Sequence, residues 1–195
     1  VKAVVAQTLD EIVDPIVYHE ALKLIAEHKA AGHDVIIISS SGTEIVEPIG
    51  ARLGVDKAIG TQMQVEDGTY TGEILFYAYG PGKAGAMRAL AAEQGYDLSQ
   101  SYAYSDSYTD LPMLEVVGHP FAVNPDDQLR RVARERVWPV LEFERPVAMR
   151  DIEKHNPQLA GVLPKTYNLF KMNIGGAAQP QANAVVLTSM RVAVP

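Results

Sequence analysis

The sequence of 195 residues contains no cysteine. Disulfide bonds and cysteine-based zinc or redox sites are therefore excluded, and the absence of cysteine suits a reducing cytosol. A bound metal would need oxygen or histidine ligands, yet the five histidines lack the spacing of a zinc motif. We therefore expect the histidines to be packed or surface residues, and any metal to be held by oxygen atoms.

Positive charge is also scarce, because 17 Lys and Arg residues face 24 Asp and Glu residues, which gives a formal net charge of -7. Nucleic acids and anionic membranes bind through clustered Lys and Arg side chains, so neither is expected as the main partner. No stretch approaches the roughly 20 apolar residues of a membrane span, and the N-terminus lacks the layout of a signal peptide. The sequence predicts a cytoplasmic protein without a membrane span.

Helical and strand patterns alternate between residues 14 and 145, which predicts an α/β domain with a doubly wound parallel (Rossmann-like) sheet. Asp14-Pro15 signals the start of a helix that Gly32 ends, and the β-branched run at 35–38 is typical of a strand buried on both faces. Asp67-Gly68 predicts the turn of a small β-hairpin within residues 63–76. The other predicted elements are helices near 43–53, 83–94, 110–117 and 126–134, and strands at 102–105 and 121–123.

The alternating pattern weakens after residue 145, where prolines recur. We expect residues 146–195 to form a weakly ordered or peripheral C-terminal tail. Within it, the apolar stretch at 184–194 has the composition of a strand, but periodicity alone does not place it in the sheet. At the other end, residues 1–13 have the pattern of the end of a helix.

Polar residues that follow buried strands are candidate site residues, because ligands of open α/β sheets bind outside the carboxyl ends of the strands. Ser39 and Ser40 follow the strand at 35–38 and precede a helix. Their hydroxyl groups, with the backbone N–H groups of the turn, suit a phosphate oxygen. The alternative is that these serines only cap the helix.

Lys83 follows Gly80-Pro81-Gly82 at the start of a predicted helix. A lysine there opposes the helix macrodipole, but the ammonium group and the helix N-terminus together form an anion site. The alternative is a solvated surface lysine. A Walker phosphate loop is excluded, because Tyr77 and Ala84 stand where that motif requires Gly and Ser or Thr.

Asp106 and Asp110 form the third candidate, at the turn between the strand at 102–105 and the next helix. Two carboxylates four residues apart supply the hard oxygen ligands that Mg²⁺ prefers. Capping of the helix by acidic residues is the alternative, and it accounts better for Asp110 than for Asp106. The pair therefore predicts a magnesium site.

The order of these candidates resembles the second, third and fourth motifs of the haloacid-dehalogenase superfamily. The runs VIIISSSGTEIVEPI, EDGTYTGEI and YAYSDSYTDLPMLEVVGHPFAVNPD are similar to phosphoserine-phosphatase-like hydrolases of that superfamily, and the resemblance covers about residues 10–145. It implies a cytoplasmic, Mg²⁺-dependent phosphatase of a small phosphorylated metabolite. In that role Asp106 ligates the metal, Asp110 orients a ligand water, Ser39 and Ser40 bind the phosphoryl group, and Lys83 offsets its charge.

The sequence lacks the superfamily's first motif, Asp-x-Asp-x-Thr. In the superfamily this motif supplies the nucleophile and follows the central strand of the sheet. We therefore expect a fragment without that strand and without most of the helical cap, in which residues 1–13 are a remnant of the cap and 14–145 the phosphatase core. Such a fragment would be inactive. Its orphaned strands would pair directly, receive the tail segment at 184–194, or accept a strand from another chain.

Two other functions remain open from the sequence. A catalytically inactive pseudo-phosphatase would bind a ligand or partner without turnover. A phosphate-binding regulatory module of an acyltransferase fusion is the second, although no acyltransferase His-Asp pair is present.

Overall fold

The computed structural model describes residues 16–148 and 184–187. Two short 3-10 turns, Leu98–Gln100 and Tyr108–Asp110, flank the strand that precedes the two candidate carboxylates. The helices and strands are β1 (Ile16–Tyr18), α1 (His19–Ala30), β2 (Asp34–Gly42), α2 (Thr43–Leu53), β3 (Lys57–Glu66), β4 (Thr69–Phe76), α3 (Pro81–Gln94), β5 (Tyr102–Ser105), α4 (Leu111–Leu114), β6 (His119–Val123), α5 (Asp127–Glu135), β7 (Val140–Leu141), β8 (Pro146–Ala148) and β9 (Ala184–Leu187).

The main sheet of the described residues has seven strands in the order β4-β3-β2-β9-β5-β6-β7. All neighbours are parallel except β3 and β4, which form the antiparallel hairpin. At the hairpin turn, Asp67 and Gly68 have φ angles of 50° and 78°, the left-handed conformation that an Asp-Gly turn requires. The predicted α/β fold with a parallel Rossmann-like sheet and a small hairpin is therefore confirmed.

The alternating side chains of β2 divide the core between the two faces of the sheet. Ile36 and Ile38 pack with residues of α3, α4 and α5, whereas Val35 and Ile37 pack with residues of α1 and α2. All four side chains are buried, as the continuous apolar run predicted. Helices therefore cover both faces, which leaves the strand ends as the place for a polar site.

The tail contributes a central strand, which differs from the expectation of a peripheral segment. β9 lies between β2 and β5 and runs parallel to both, with Leu187 paired to Ile37 on one side and to Tyr104 on the other. It supplies hydrogen-bonding partners to two buried strands whose backbone groups would otherwise be unsatisfied. Of the three alternatives, the tail segment fills this position in the sheet.

Two local predictions were wrong in detail. The helix expected from Asp14-Pro15 begins only at His19, because Ile16–Tyr18 pairs with Pro146–Ala148 as an antiparallel two-stranded sheet. The helix expected over 110–117 is limited to Leu111–Leu114 after a 3-10 turn. Among the described helices, none is long and apolar enough to cross a membrane. The predicted cap remnant at 1–13 and most of the tail lie outside the described residues.

Candidate functional site

A buried ion pair joins Lys83 and Asp110. The Nζ atom of Lys83 lies 2.7 Å from Oδ1 and 2.9 Å from Oδ2 of Asp110. The two side chains are only 7% and 1% exposed. Burying two charges is costly unless they compensate each other, so this contact neutralises a charge that could not be left alone in the interior.

The start of α3 places Lys83 at the site. Gly80 adopts a φ of 51°, Pro81 occupies the first turn, and the N–H of Gly82 donates to the carbonyl of Tyr79 at 2.9 Å. A Cβ atom on Gly82 would overlap the carbonyl oxygen of Tyr77, so this tight entry to the helix requires glycine. Lys83 is 5% exposed, which rules out the solvated surface lysine.

The loop after β5 carries both candidate carboxylates. Asp106 is 8% exposed and Asp110 is 1% exposed. The hydroxyl of Ser105 donates to Oδ2 of Asp110 at 2.7 Å and accepts from the N–H of Ser107 at 3.2 Å. Asp110 is thus held by a hydroxyl and an ammonium group at once, while Asp106 lies at the strand end.

Ser39 lies at the same edge of the sheet as Asp106. Ile37 and Tyr104 both pair with Leu187, and Ser39 and Asp106 each follow two residues later on parallel strands. Two interstrand spacings separate these strands, which is about 10 Å. The strand register therefore brings Ser39 and the Asp106 loop to one edge, as the rule for open α/β sheets predicts.

The serines lie in β2 itself, which continues to Gly42 rather than ending at residue 38. Gly42 is the N-cap of α2 and no side chain caps that helix, so the capping alternative for Ser39 and Ser40 does not hold. The Oγ of Ser39 accepts from the N–H of Ser41 at 3.3 Å, and the carbonyl of Ser40 accepts from Thr61 Oγ1 at 2.8 Å. Ser39 is half-buried and Ser40 is exposed.

A cavity of about 100 Å³ lies beside Ser39. Ser39 and Ser41 are its polar lining, and its other walls are largely apolar, with Ile37, Tyr104 and Leu187 contributed by the three central strands. The hydroxyl of Ser39 thus borders a mostly apolar space between the sheet and helices α1 and α2.

Asp106 and Asp110 fit a magnesium ion in their chemistry. Mg²⁺ binds through one or two carboxylates and takes its other ligands from water and from substrate phosphate groups. No group of three or more His, Asp or Glu side chains within residues 16–148 and 184–187 is arranged to hold a metal. The two carboxylates would therefore hold Mg²⁺ only with such additional ligands.

His28 and His119 both contact tyrosines of β5. His28 donates or accepts at Nε2 with the hydroxyl of Tyr104 at 2.8 Å, and its Nδ1 lies 2.9 Å from Nδ1 of His33. Burial, with the neighbouring His33, lowers the pKa of His28 to about 4. His119 is exposed and stacks on Tyr102. His28 is therefore a packed histidine and His119 a surface histidine, as expected for these two residues.

Two site residues were missed by the sequence reasoning. Ser105 is fully buried and bonds Asp110, and Asp126 contacts the same loop from the end of β6. Ser105 stands directly before Asp106, and Asp126 follows a parallel strand, so both obey the rule that pointed to Ser39. That rule, applied to every strand, would have found them.

The model of the haloacid dehalogenase-like hydrolases matches residues 1–115 of the chain. The chain therefore belongs to this family of hydrolases. It is 60% identical over 151 residues to the "Inhibition of morphological differentiation protein" of Streptomyces azureus, covering 77% of this chain and 54% of that protein. It is 58% identical over 151 residues to a "Probable phosphatase" of Mycobacterium tuberculosis, with 77% and 53% covered.

A phosphoserine phosphatase of Mycobacterium tuberculosis is 41% identical over 135 residues, with 69% of this chain and 44% of that protein covered. The chain spans about half the length of these curated relatives. A solved structure of a protein of unknown function from Bordetella pertussis matches with a TM-score of 0.66 at 31% identity, over 71% of this chain and 64% of that one. A substrate-bound phosphoserine phosphatase matches with a TM-score of 0.52 at 25% identity, over 69% and 61%. The phosphoserine-phosphatase-like character predicted from the motifs is thus confirmed.

Proposed function

We propose that the intact protein is a Mg²⁺-dependent phosphatase that hydrolyses a small phosphomonoester. The observation that carries this proposal is the buried Lys83–Asp110 pair beside Asp106 at the carboxyl edge of a parallel sheet. The family match and relatives named as phosphatases support the same activity.

In this proposal the residues of the chain bind and neutralise the phosphoryl group. The hydroxyl of Ser39 donates to a phosphoryl oxygen, with Ser40 beside it, and the ammonium group of Lys83 offsets negative charge at the reacting centre. Asp106 would hold the metal directly, and Asp110, fixed by Ser105 and Lys83, would orient a water in its coordination shell. Bound Mg²⁺ would supply charge stabilisation at the phosphoryl oxygens.

The proposed reaction also needs a nucleophile that this sequence does not contain. One aspartate of the Asp-x-Asp-x-Thr motif would attack phosphorus and form an aspartyl-phosphate, while the ester P–O bond breaks and the leaving alcohol takes a proton from the motif's other aspartate, the general acid. Water would then cleave the acyl-phosphate and release inorganic phosphate. The sequence has no Asp-x-Asp-x-Thr motif, so we expect the 195-residue chain alone to be inactive.

The experiment measures hydrolysis of p-nitrophenyl phosphate against Mg²⁺ concentration in a longer form that carries Asp-x-Asp-x-Thr ahead of Val1. We expect Asp106→Asn to lower activity at least about a hundredfold and to weaken the response to Mg²⁺, because a neutral amide oxygen is a poorer ligand for a hard dication. Asp67→Asn, at the exposed hairpin turn, is the matched control and should change neither. Equal activity and equal metal response in Asp106→Asn and the parent would remove Asp106 from the site.

A further inference from the structure

Asp126 connects the start of α5 to the loop that carries the candidate metal ligands. Its Oδ1 accepts from the N–H of Leu129 at 2.8 Å, which caps α5. Its Oδ2 accepts from the N–H of Tyr108 at 2.8 Å, and its own N–H donates to the carbonyl of Asp106 at 2.8 Å. Asp126 therefore makes two bonds to the segment from Asp106 to Asp110, and it bonds α5 through both its side chain and its carbonyl, which accepts from the N–H of Arg130 at 2.9 Å.

The turn that carries Asp126 is itself anchored to the sheet. Asn124 has a φ of 43°, and its N–H donates to the carbonyl of Leu141 in β7 at 2.9 Å. Its side chain donates to the carbonyl of Phe143 and accepts from the N–H of Phe143, at 3.0 and 2.8 Å. These bonds fix the end of β6, so Asp126 projects from a rigid support.

We infer that Asp126 is a positioning residue, which holds the loop from Ser105 to Asp110 in the geometry that the metal site needs. This inference rests on the proposed function, because it assigns Asp106 and Asp110 to the metal. The N–H of Tyr108 lies between Asp106 and Asp110 in sequence, so its bond to Asp126 fixes the path of the chain from one carboxylate to the other. Residues that orient metal ligands typically contribute 10- to 100-fold to metal affinity, an order-of-magnitude guide for the expected effect.

The test compares two variants of the 195-residue chain. Asp126→Ser retains a hydroxyl that can cap α5 but is too short to accept from Tyr108 as well. Arg131→Gly, at an exposed position of α5, weakens the helix without touching the loop, and it is the matched control for a purely structural effect. A third variant, Asp106→Asn, removes the proposed metal ligand, so metal binding that this variant loses is binding at the proposed site.

Two measurements are made on each variant. The first is amide hydrogen exchange by NMR, in which Asp126→Ser should accelerate exchange of the Tyr108 amide at least about tenfold, while Arg131→Gly leaves it unchanged. The second is Mn²⁺ binding by water-proton relaxation. We expect Asp106→Asn to abolish this binding, Asp126→Ser to weaken its affinity by about tenfold, and Arg131→Gly to leave it unchanged.

The two readouts separate failure of this inference from failure of the proposed function. Unchanged Tyr108 exchange in Asp126→Ser overturns the positioning role. Unchanged Mn²⁺ affinity in Asp126→Ser, with binding abolished in Asp106→Asn, overturns it as well and leaves the proposed metal site standing. Mn²⁺ binding that is the same in the parent and Asp106→Asn overturns the metal site itself, and with it the inferred purpose of Asp126.

Discussion

At the scale of single residues, charge compensation explains the geometry of the site. Asp110 is almost fully enclosed, and it receives Lys83 at both oxygens and Ser105 at one. A buried ion pair adds little net stability compared with an apolar pair, but removing one partner leaves a charge that water cannot reach. The contacts that hold Asp110 in place therefore make the stability of the fold depend on Lys83.

We expect Lys83→Met to lower the free energy of unfolding by about 3–5 kcal/mol, because Asp110 is left buried without its counter-charge. The double variant Lys83→Met/Asp110→Asn should recover much of this loss, since neither charge remains. Urea unfolding followed by circular dichroism measures both. Lys23→Met removes a lysine from an exposed pair with Glu27 and should cost less than about 1 kcal/mol. A Lys83→Met loss as small as that of Lys23→Met would contradict the argument.

His28, which bonds the hydroxyl of Tyr104, makes the free energy of unfolding depend on pH. Its pKa falls from 6.5 to about 4 in the folded chain, mainly because burial disfavours the charged ring, and secondarily because His33 is adjacent. Between these two pH values the unfolded chain binds more protons than the folded chain, so stability falls as the pH drops from about 6.5 to 4. We expect His28→Gln to flatten the slope of unfolding free energy against pH in this window. The exposed His119 is the control, and His119→Gln should keep the parental slope, whereas equal slopes in the parent and His28→Gln would exclude the effect.

At the scale of elements, the sequence pattern predicted those strands and turns that depend on residues close together in the chain. β5 was predicted at 102–105 and has those bounds, because its apolar run is short and ends at polar Ser105-Asp106. The hairpin follows from Asp67-Gly68, whose positive φ angles match the residues present. The common edge of Ser39 and Asp106 follows from the parallel direction of β2 and β5.

The sequence pattern did not predict contacts between segments that are distant in the chain. β1 forms because residues 16–18 find partners at 146–148, and no local periodicity reports that pairing. The direct contact of Lys83 with Asp110 and the second bond of Asp126 likewise depend on how α3 and β6 pack beside β5. Residue types therefore indicated the site, whereas its hydrogen-bond network required the fold.

At the scale of the whole molecule, β9 joins two halves of the sheet. β4, β3 and β2 lie on one side of it and β5, β6 and β7 on the other, and in this order β2 and β5 have no pairing with each other. Each backbone group left unpaired in the interior would cost on the order of 1–3 kcal/mol, and several would rival the stability of a domain. β9 lies where we would place, under the proposed function, the strand that precedes the nucleophile.

Removal of β9 tests whether the two strands share this position in the sheet. Ending the 195-residue chain at residue 183 removes β9, and we expect it to lower the melting temperature by at least about 10 °C, because β2 and β5 lose their partner. Ending the chain at Leu187 retains β9 and is the matched control, with an expected change of less than about 2 °C. A longer form would carry an apolar strand and Asp-x-Asp-x-Thr ahead of Val1. Ending that form at residue 183 should leave both its melting temperature and its phosphatase activity unchanged, because the added strand takes the place of β9. An equal loss of melting temperature in the two forms would show that the added strand lies elsewhere, and the nucleophile would then have no place beside Asp106.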